Sequence, residues 1–166
     1  MRYRTGLFLV ATCAAVASGC SFEERTDRNQ SSVESTRRQI IQPEGVARLP
    51  VFSSAIRSGD FIFLSGQLGA LPGVTPPRVI EGGIEAETRQ TMENIIAVLD
   101  AADATLRDLI KCTVFLADIG DYAAMNLVYA EYFPSDPPAR SALAGSGLAL
   151  GALVEIECIA AVPEGS

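Results

Sequence analysis

Histidine is absent from all 166 residues, and that one absence removes Ser-His-Asp and Cys-His catalysis together with most zinc sites. Positive charge is scarce too. Thirteen Lys and Arg stand against twenty Asp and Glu, for a net charge of −7, and no basic cluster occurs past residue 40. Binding a polyanion needs Lys and Arg gathered on one face, so no nucleic-acid partner is expected. Any catalysis is left to carboxylate, guanidinium, hydroxyl, amide or thiol groups.

What is present suits one domain with an appendage: 48% of the residues are hydrophobic, enough for a packed core, while two domains would be crowded. The chain opens with Arg2 and Arg4, an apolar run over residues 7–17, and then Ser18-Gly19-Cys20. That run is about half the roughly 20 residues a stable membrane-crossing helix needs, so the start reads as an export signal. Small residues leading into a cysteine resemble a bacterial lipobox, with Ala17 where such boxes usually carry Leu. The resemblance implies a signal peptide over residues 1–19 and a lipid-bearing Cys20. The other reading is an ordinary cleaved signal in which Cys20 is a bystander. Ser21 in place of Asp fits sorting to the outer membrane, facing the periplasm. Loss of Arg2 and Arg4 would take the charge from −7 to −9.

Residues 20–43 are expected to be the lipid-bearing cysteine and a polar tether, and residues 44–166 the folded domain. Within it, residues 54–57 lead through Ser58-Gly59-Asp60 into Phe61-Ile62-Phe63-Leu64, a strand apolar on both faces and so expected to be buried on both. Met92, Ile95, Ile96 and Leu99 fall at helical spacing within 85–102, and Asp103 stands at the left-handed position that ends such a helix. Ile110, Cys112, Val114 and Leu116 alternate along a strand over 109–116. A second helix over 121–133 has Met125, Val128, Tyr129 and Tyr132 on one stripe, and prolines stop it. Strands are expected over 140–144 and 152–162. The order β-α-β-α-β predicts an α+β fold of four or five strands with both helices on one face of the sheet. The other face, with Leu153, Ile159 and one set of the Phe61–Leu64 aromatics, needs a second copy of the chain, hence a homo-oligomer. With Cys13 and Cys20 accounted for by the leader and the lipid, Cys112 and Cys158 read as buried free thiols. A disulfide would require their strands to be neighbours.

Arg140 leaves Pro137-Pro138-Ala139, a corner stiffened by two prolines, at the start of a strand. A guanidinium mounted this way suits a substrate carboxylate, because its fork matches both oxygens; equally it could be a surface charge paired with an acidic neighbour. Glu155 and Glu157, two apart on a strand, both point away from the helices and could serve as general acid or base, or be solvated charges. Asn126 sits mid-helix, where Asn is disfavoured, and either caps a bend or reaches a polar site. Ser65-Gly66-Gln67 offers a hydroxyl and close backbone approach, or simply ends a strand.

The runs Phe61-Ile62-Phe63-Leu64-Ser65-Gly66-Gln67, Glu87-Thr88-Arg89-Gln90-Thr91-Met92-Glu93-Asn94, Lys111-Cys112-Thr113-Val114-Phe115-Leu116, Pro138-Ala139-Arg140-Ser141 and Val154-Glu155-Ile156-Glu157 resemble, in order, the Rid family (YjgF/YER057c/UK114). The likeness covers about residues 50–162. It implies a chorismate-mutase-like fold, a trimer with ligand clefts between subunits, and hydrolysis of reactive imines and enamines to 2-oxo acids and ammonia, with no cofactor or metal. By position it makes Arg140 the carboxylate-binding arginine, Glu155 the cleft glutamate and Asn126 the helix asparagine, and it adds Ser65 before Gly-Gln. Phe52 stands where many members have a cleft tyrosine, Ala142 where some have cysteine, and Gly147 and Ala149 replace the usual Arg and Pro of a rim loop. The expected catalytic pair is therefore Glu155 and Arg140, with Arg140, Ser65, Asn126 and Phe52 contacting substrate. The competing expectation is a non-catalytic module that holds a small carboxylate in the same cleft. RNA cleavage, linked to some members, fits an acidic exported domain poorly.

Overall fold

The computed structural model describes residues 38–44, 46 and 50–162; the leader, Cys20 and most of the tether lie outside them. In chain order the elements are β1 (Gln39–Ile41), β2 (Ala55–Ser58), β3 (Phe61–Leu64), β4 (Gln67–Leu68), α1 (Gly83–Asp100), β5 (Leu109–Leu116), α2 (Tyr122–Glu131), β6 (Ala139–Ala144) and β7 (Val154–Ala161). The strands form one mixed sheet ordered β1-β2-β3-β7-β5-β6, with β4 also pairing β7. Only β5 and β6 are parallel, joined by the α2 crossover, and the other pairs are antiparallel.

Period-two burial explains the sheet. On β7, Val154, Ile156, Cys158 and Ala160 are buried, and on β5 so are Cys112, Val114 and Leu116. Met92, Ile95, Val98 and Leu99 of α1 and Met125 and Tyr129 of α2 close over this face as one core. Both helices thus lie on one side, as the sequence pattern predicts. The end of α1 also follows its sequence: Asp103 has φ 53°, and the Ala104 amide donates to the Leu99 carbonyl at 2.9 Å.

Four expectations need correction. Seven strands form rather than four or five, because β1 and β4 are only three and two residues long. Of these, β1 lies in the stretch read as tether, where Ile40 registers with Ile56. Within one protomer Phe61 and Phe63 are 45% and 47% exposed, on the face of β3 that the sequence pattern leaves for a second copy to cover, so the expectation of burial on both faces is not among the four. Ile110 does not share the core face with Cys112: a register shift between Leu109 and Lys111 against β7 buries Leu109 and leaves Ile110 exposed. Lastly, Cys112 and Cys158 are disulfide-bonded rather than free. Their strands are antiparallel neighbours and the two cysteines are direct cross-strand partners. No helix among the described residues is long and apolar enough to cross a membrane.

Candidate functional site

Arg140 lies on the helix side of the sheet. It registers with Cys112 of β5, whose side chain belongs to the core, and its guanidinium extends over α2. The guanidinium carbon stands 4.7 Å from the centre of the Tyr129 ring and 5.7 Å from that of Tyr122. Nη2 donates to the Tyr122 hydroxyl oxygen at 3.2 Å. No carboxylate among the described residues forms an ion pair with it, so the alternative of a surface charge tied to an acidic neighbour is not what the fold provides. Two aromatic rings hold the cation while most of its N–H groups stay available to a ligand.

The helix beneath supplies the polar surroundings. Asn126 and Tyr129 have buried polar atoms, Asn126 Oδ1 and the Tyr129 hydroxyl, without a hydrogen-bond partner. Burial pushes the Tyr129 phenol up to about 12, against the opposing pull of Arg140. The Tyr122 phenol is held below its ordinary value, first by the Asn126 side-chain amide and then by the positive charge of Arg140. Asn126 therefore reaches a polar site and does not cap a bend, since α2 runs through it unbroken.

Glu155 occupies the opposite face of the sheet. It registers with Phe115 of β5 and with Leu68 of β4, and its carboxyl packs on Gly66. A Cβ at Gly66 would lie 2.7 Å from Glu155 Cδ, which is why Ser65-Gly66-Gln67 carries glycine at its centre. Burial first, and the neighbouring charge of Glu157 second, raise the Glu155 carboxyl above the usual carboxylate range. The Ser65 hydroxyl donates to the Ser53 carbonyl at 2.7 Å, so its proton is engaged and its oxygen is left as an acceptor. That bond ties the end of β3 to the loop bearing Phe52, which is 52% exposed.

Within one chain, then, the sequence-predicted residues form two groups. Arg140 and Asn126 stand together on the helix side, while Glu155, Ser65 and the Phe52 loop belong to the β3 and β7 side. Neither group is enclosed. A groove of about 960 Å³ between the end of α1 and the loop after α2 contains none of these residues, and neither does a depression of about 200 Å³ beside Phe63, Lys111 and Glu157. Among the described residues no three His, Cys, Asp or Glu side chains gather as a metal site.

Several contributors were not singled out from the sequence. Tyr122 could have been found from the spacing of Tyr122, Asn126 and Tyr129 at i, i+4 and i+7, which makes one polar-aromatic helix stripe. The motif at the middle of α1 is a set of bolts: buried Glu87 accepts the Leu153 amide at 2.8 Å just before β7. Asn94 donates at 2.8 Å to the Leu68 carbonyl at the end of β4 and to the Ala70 carbonyl just beyond it. Gly69 lets the helix close in, since a Cβ there would lie 2.9 Å from Glu87 Cα.

A family model described as Endoribonuclease L-PSP matches residues 45–162. A RutC family protein of Pyrococcus horikoshii is 47% identical over 124 residues, covering 74% of this chain and 97% of that protein. A protein of Capra hircus named 2-iminobutanoate/2-iminopropanoate deaminase is 40% identical over 124 residues, covering 75% of this chain and 89% of its own length. The crystal structure of a protein of the conserved Rid family from Yersinia pestis superposes with a TM-score of 0.71 at 36% identity, covering 76% of this chain and all of that one.

Proposed function

The chain belongs to the Rid family, whose model carries the description Endoribonuclease L-PSP, and on that premise we propose that it hydrolyses reactive 2-imino and 2-enamino acids to 2-oxo acids and ammonia. The observation that carries this reading is the state of Arg140: a guanidinium held by two rings, hydrogen-bonded through one nitrogen and unmatched by any carboxylate of the described chain. Such a group takes the substrate carboxylate and leaves the adjacent C=N carbon oriented for attack. Glu155, in its ionised form, accepts a proton from water as the water oxygen adds to that carbon. That proton passes to nitrogen to give the carbinolamine, Glu155 then carries the hydroxyl proton to the same nitrogen, and the C–N bond breaks as C=O forms, releasing ammonia and a 2-oxo acid. The relative named as an imine deaminase supports this chemistry.

Arg140 and Glu155 lie on opposite faces of one protomer's sheet, so the site is assembled between copies, as a trimer in which one subunit supplies Arg140 and the next supplies Glu155. The exposed Phe61 and Phe63 give that association an apolar surface to cover. The family description names an endoribonuclease, but a net charge of −7 disfavours a polyphosphate substrate. Phe52, which offers no hydroxyl, favours one second reading: a module that binds small carboxylates without activating water.

The protein acts outside the cytoplasm, anchored by lipid on Cys20. The Cys112–Cys158 disulfide supports that placement, because such bonds persist in oxidising compartments. Mass spectrometry of the N-terminal peptide tests it, and an unmodified Cys20 contradicts it. For the reaction, 2-iminopropionate generated by an amino-acid oxidase is followed with and without the purified protein. Faster decay with wild type than with Arg140→Ala is expected, and equal decay in all samples rejects hydrolysis. Pyruvate binding that depends on Arg140 but comes without hydrolysis selects the binding module.

A further inference from the structure

Tyr122 is placed at the one edge of the Arg140 guanidinium that the fold itself occupies. Arginine has no acceptor, so in the 3.2 Å contact with Nη2 the phenol oxygen must be the acceptor. The phenol's own proton is therefore not used by Arg140, and the other polar group of the chain against the phenol is the Asn126 side-chain amide, from the buried side. The ring is 39% exposed, at the start of α2, whereas Tyr129 beneath the same guanidinium is only 5% exposed. One tyrosine is thus the floor of the site and the other its open wall.

We propose that Tyr122 is a substrate-binding residue, which steadies Arg140 through its oxygen and donates its hydroxyl proton to the same small carboxylate that Arg140 receives. The remaining N–H groups of the fork and the Tyr122 O–H then make three donors converging on one carboxylate. An arginine alone would give two. The arrangement also places a hydroxyl at the site from α2, in a chain whose Phe52 supplies none. This inference rests on the reading of Arg140 as a carboxylate receptor.

Calorimetry with pyruvate on the full-length wild-type protein, Tyr122→Phe and Arg140→Ala tests it, with initial rates on 2-iminopropionate measured beside it. Phenylalanine keeps the ring by the guanidinium and removes only the hydroxyl. The expected result is pyruvate affinity about tenfold weaker in Tyr122→Phe, the loss of one hydrogen bond to a charged group, with an unchanged thermal midpoint. Its KM for the imine rises by about the same factor and its kcat stays within about twofold. Pyruvate affinity within twofold of wild type overturns the inference, as does an unchanged KM with a fallen kcat. Wild type that binds pyruvate in a Tyr122-dependent way but hydrolyses nothing supports the inference and rejects the deaminase. Wild type that binds no pyruvate overturns the inference whatever its turnover.

Discussion

The Arg140 group and the Glu155 group are held in place by different means. Arg140 is positioned by side chains: the rings of Tyr122 and Tyr129 bracket it, and a hydroxyl bonds one nitrogen. Glu155 is positioned by backbone: Gly66 lets the carboxyl lie against the main chain, and Glu87 and Asn94 bolt the flanking segments to α1. A guanidinium needs flat neighbours and open donors, whereas a general base needs partial burial to keep its proton affinity near working pH. Each half is therefore sensitive to a different kind of substitution. Strand β5, between β6 and β7, connects them, and its Cys112 is bonded to Cys158.

The largest expected effect comes from cutting that connection. The disulfide joins residues 46 apart, and the chain-entropy model values a loop of that size at about 4 kcal/mol. Cys112→Ala/Cys158→Ala should lose most of that in urea denaturation, and a loss below about 1 kcal/mol would show that the sheet alone holds the halves in register. Next, Arg140→Ala should lower kcat/KM for 2-iminopropionate by about a hundredfold with a small change in stability, since it removes charge-assisted bonds and no core volume. A drop in melting temperature as large as that of the disulfide variant would make Arg140 a structural residue.

Gly66→Ala probes the backbone-built half. Its methyl must displace the Glu155 carboxyl by more than an ångström, and since a misplacement of that size costs about a hundredfold, a loss in kcat of that order is expected. Pyruvate affinity, which belongs to the other half, should hold. The smallest effect is on pH. Burial and Glu157 disfavour ionised Glu155, so it retains its proton to a higher pH than an ordinary glutamate, and activity should fall on the acid side from a correspondingly higher pH. Glu157→Gln removes one of the two causes and should move that acid limb down by less than about one pH unit. An upward shift, or none in Glu155→Gln relative to wild type, would remove Glu155 from the role of base.

Much of this was readable from residue order, for physical reasons that also mark where reading stops. Alternation along β5 and β7 and the 3.6-residue stripes of α1 and α2 are long enough to declare themselves, and Asp103 announces the end of α1. Strands of two and three residues carry no period, so β1 and β4 were invisible. Periodicity gives faces but not neighbours, which is why Cys112 and Cys158 read as thiols although they are cross-strand partners. The exposure of Phe61 and Phe63 depends on what covers the sheet, and apolar composition cannot distinguish a core from a contact between copies. Tyr122 escaped notice because an exposed aromatic at a helix start is unremarkable until Arg140 is found against it.

The central claim is that Arg140 of one copy and Glu155 of another complete a single site. Subunit mixing tests it most directly. Arg140→Ala and Glu155→Ala chains, each inactive alone on 2-iminopropionate, are unfolded, combined in equal amounts and refolded together. In a ring of three with random mixing, about a quarter of the sites regain both wild-type residues, so about a quarter of wild-type activity should return. Mixed assemblies that form but stay as inactive as either parent would contradict the shared site.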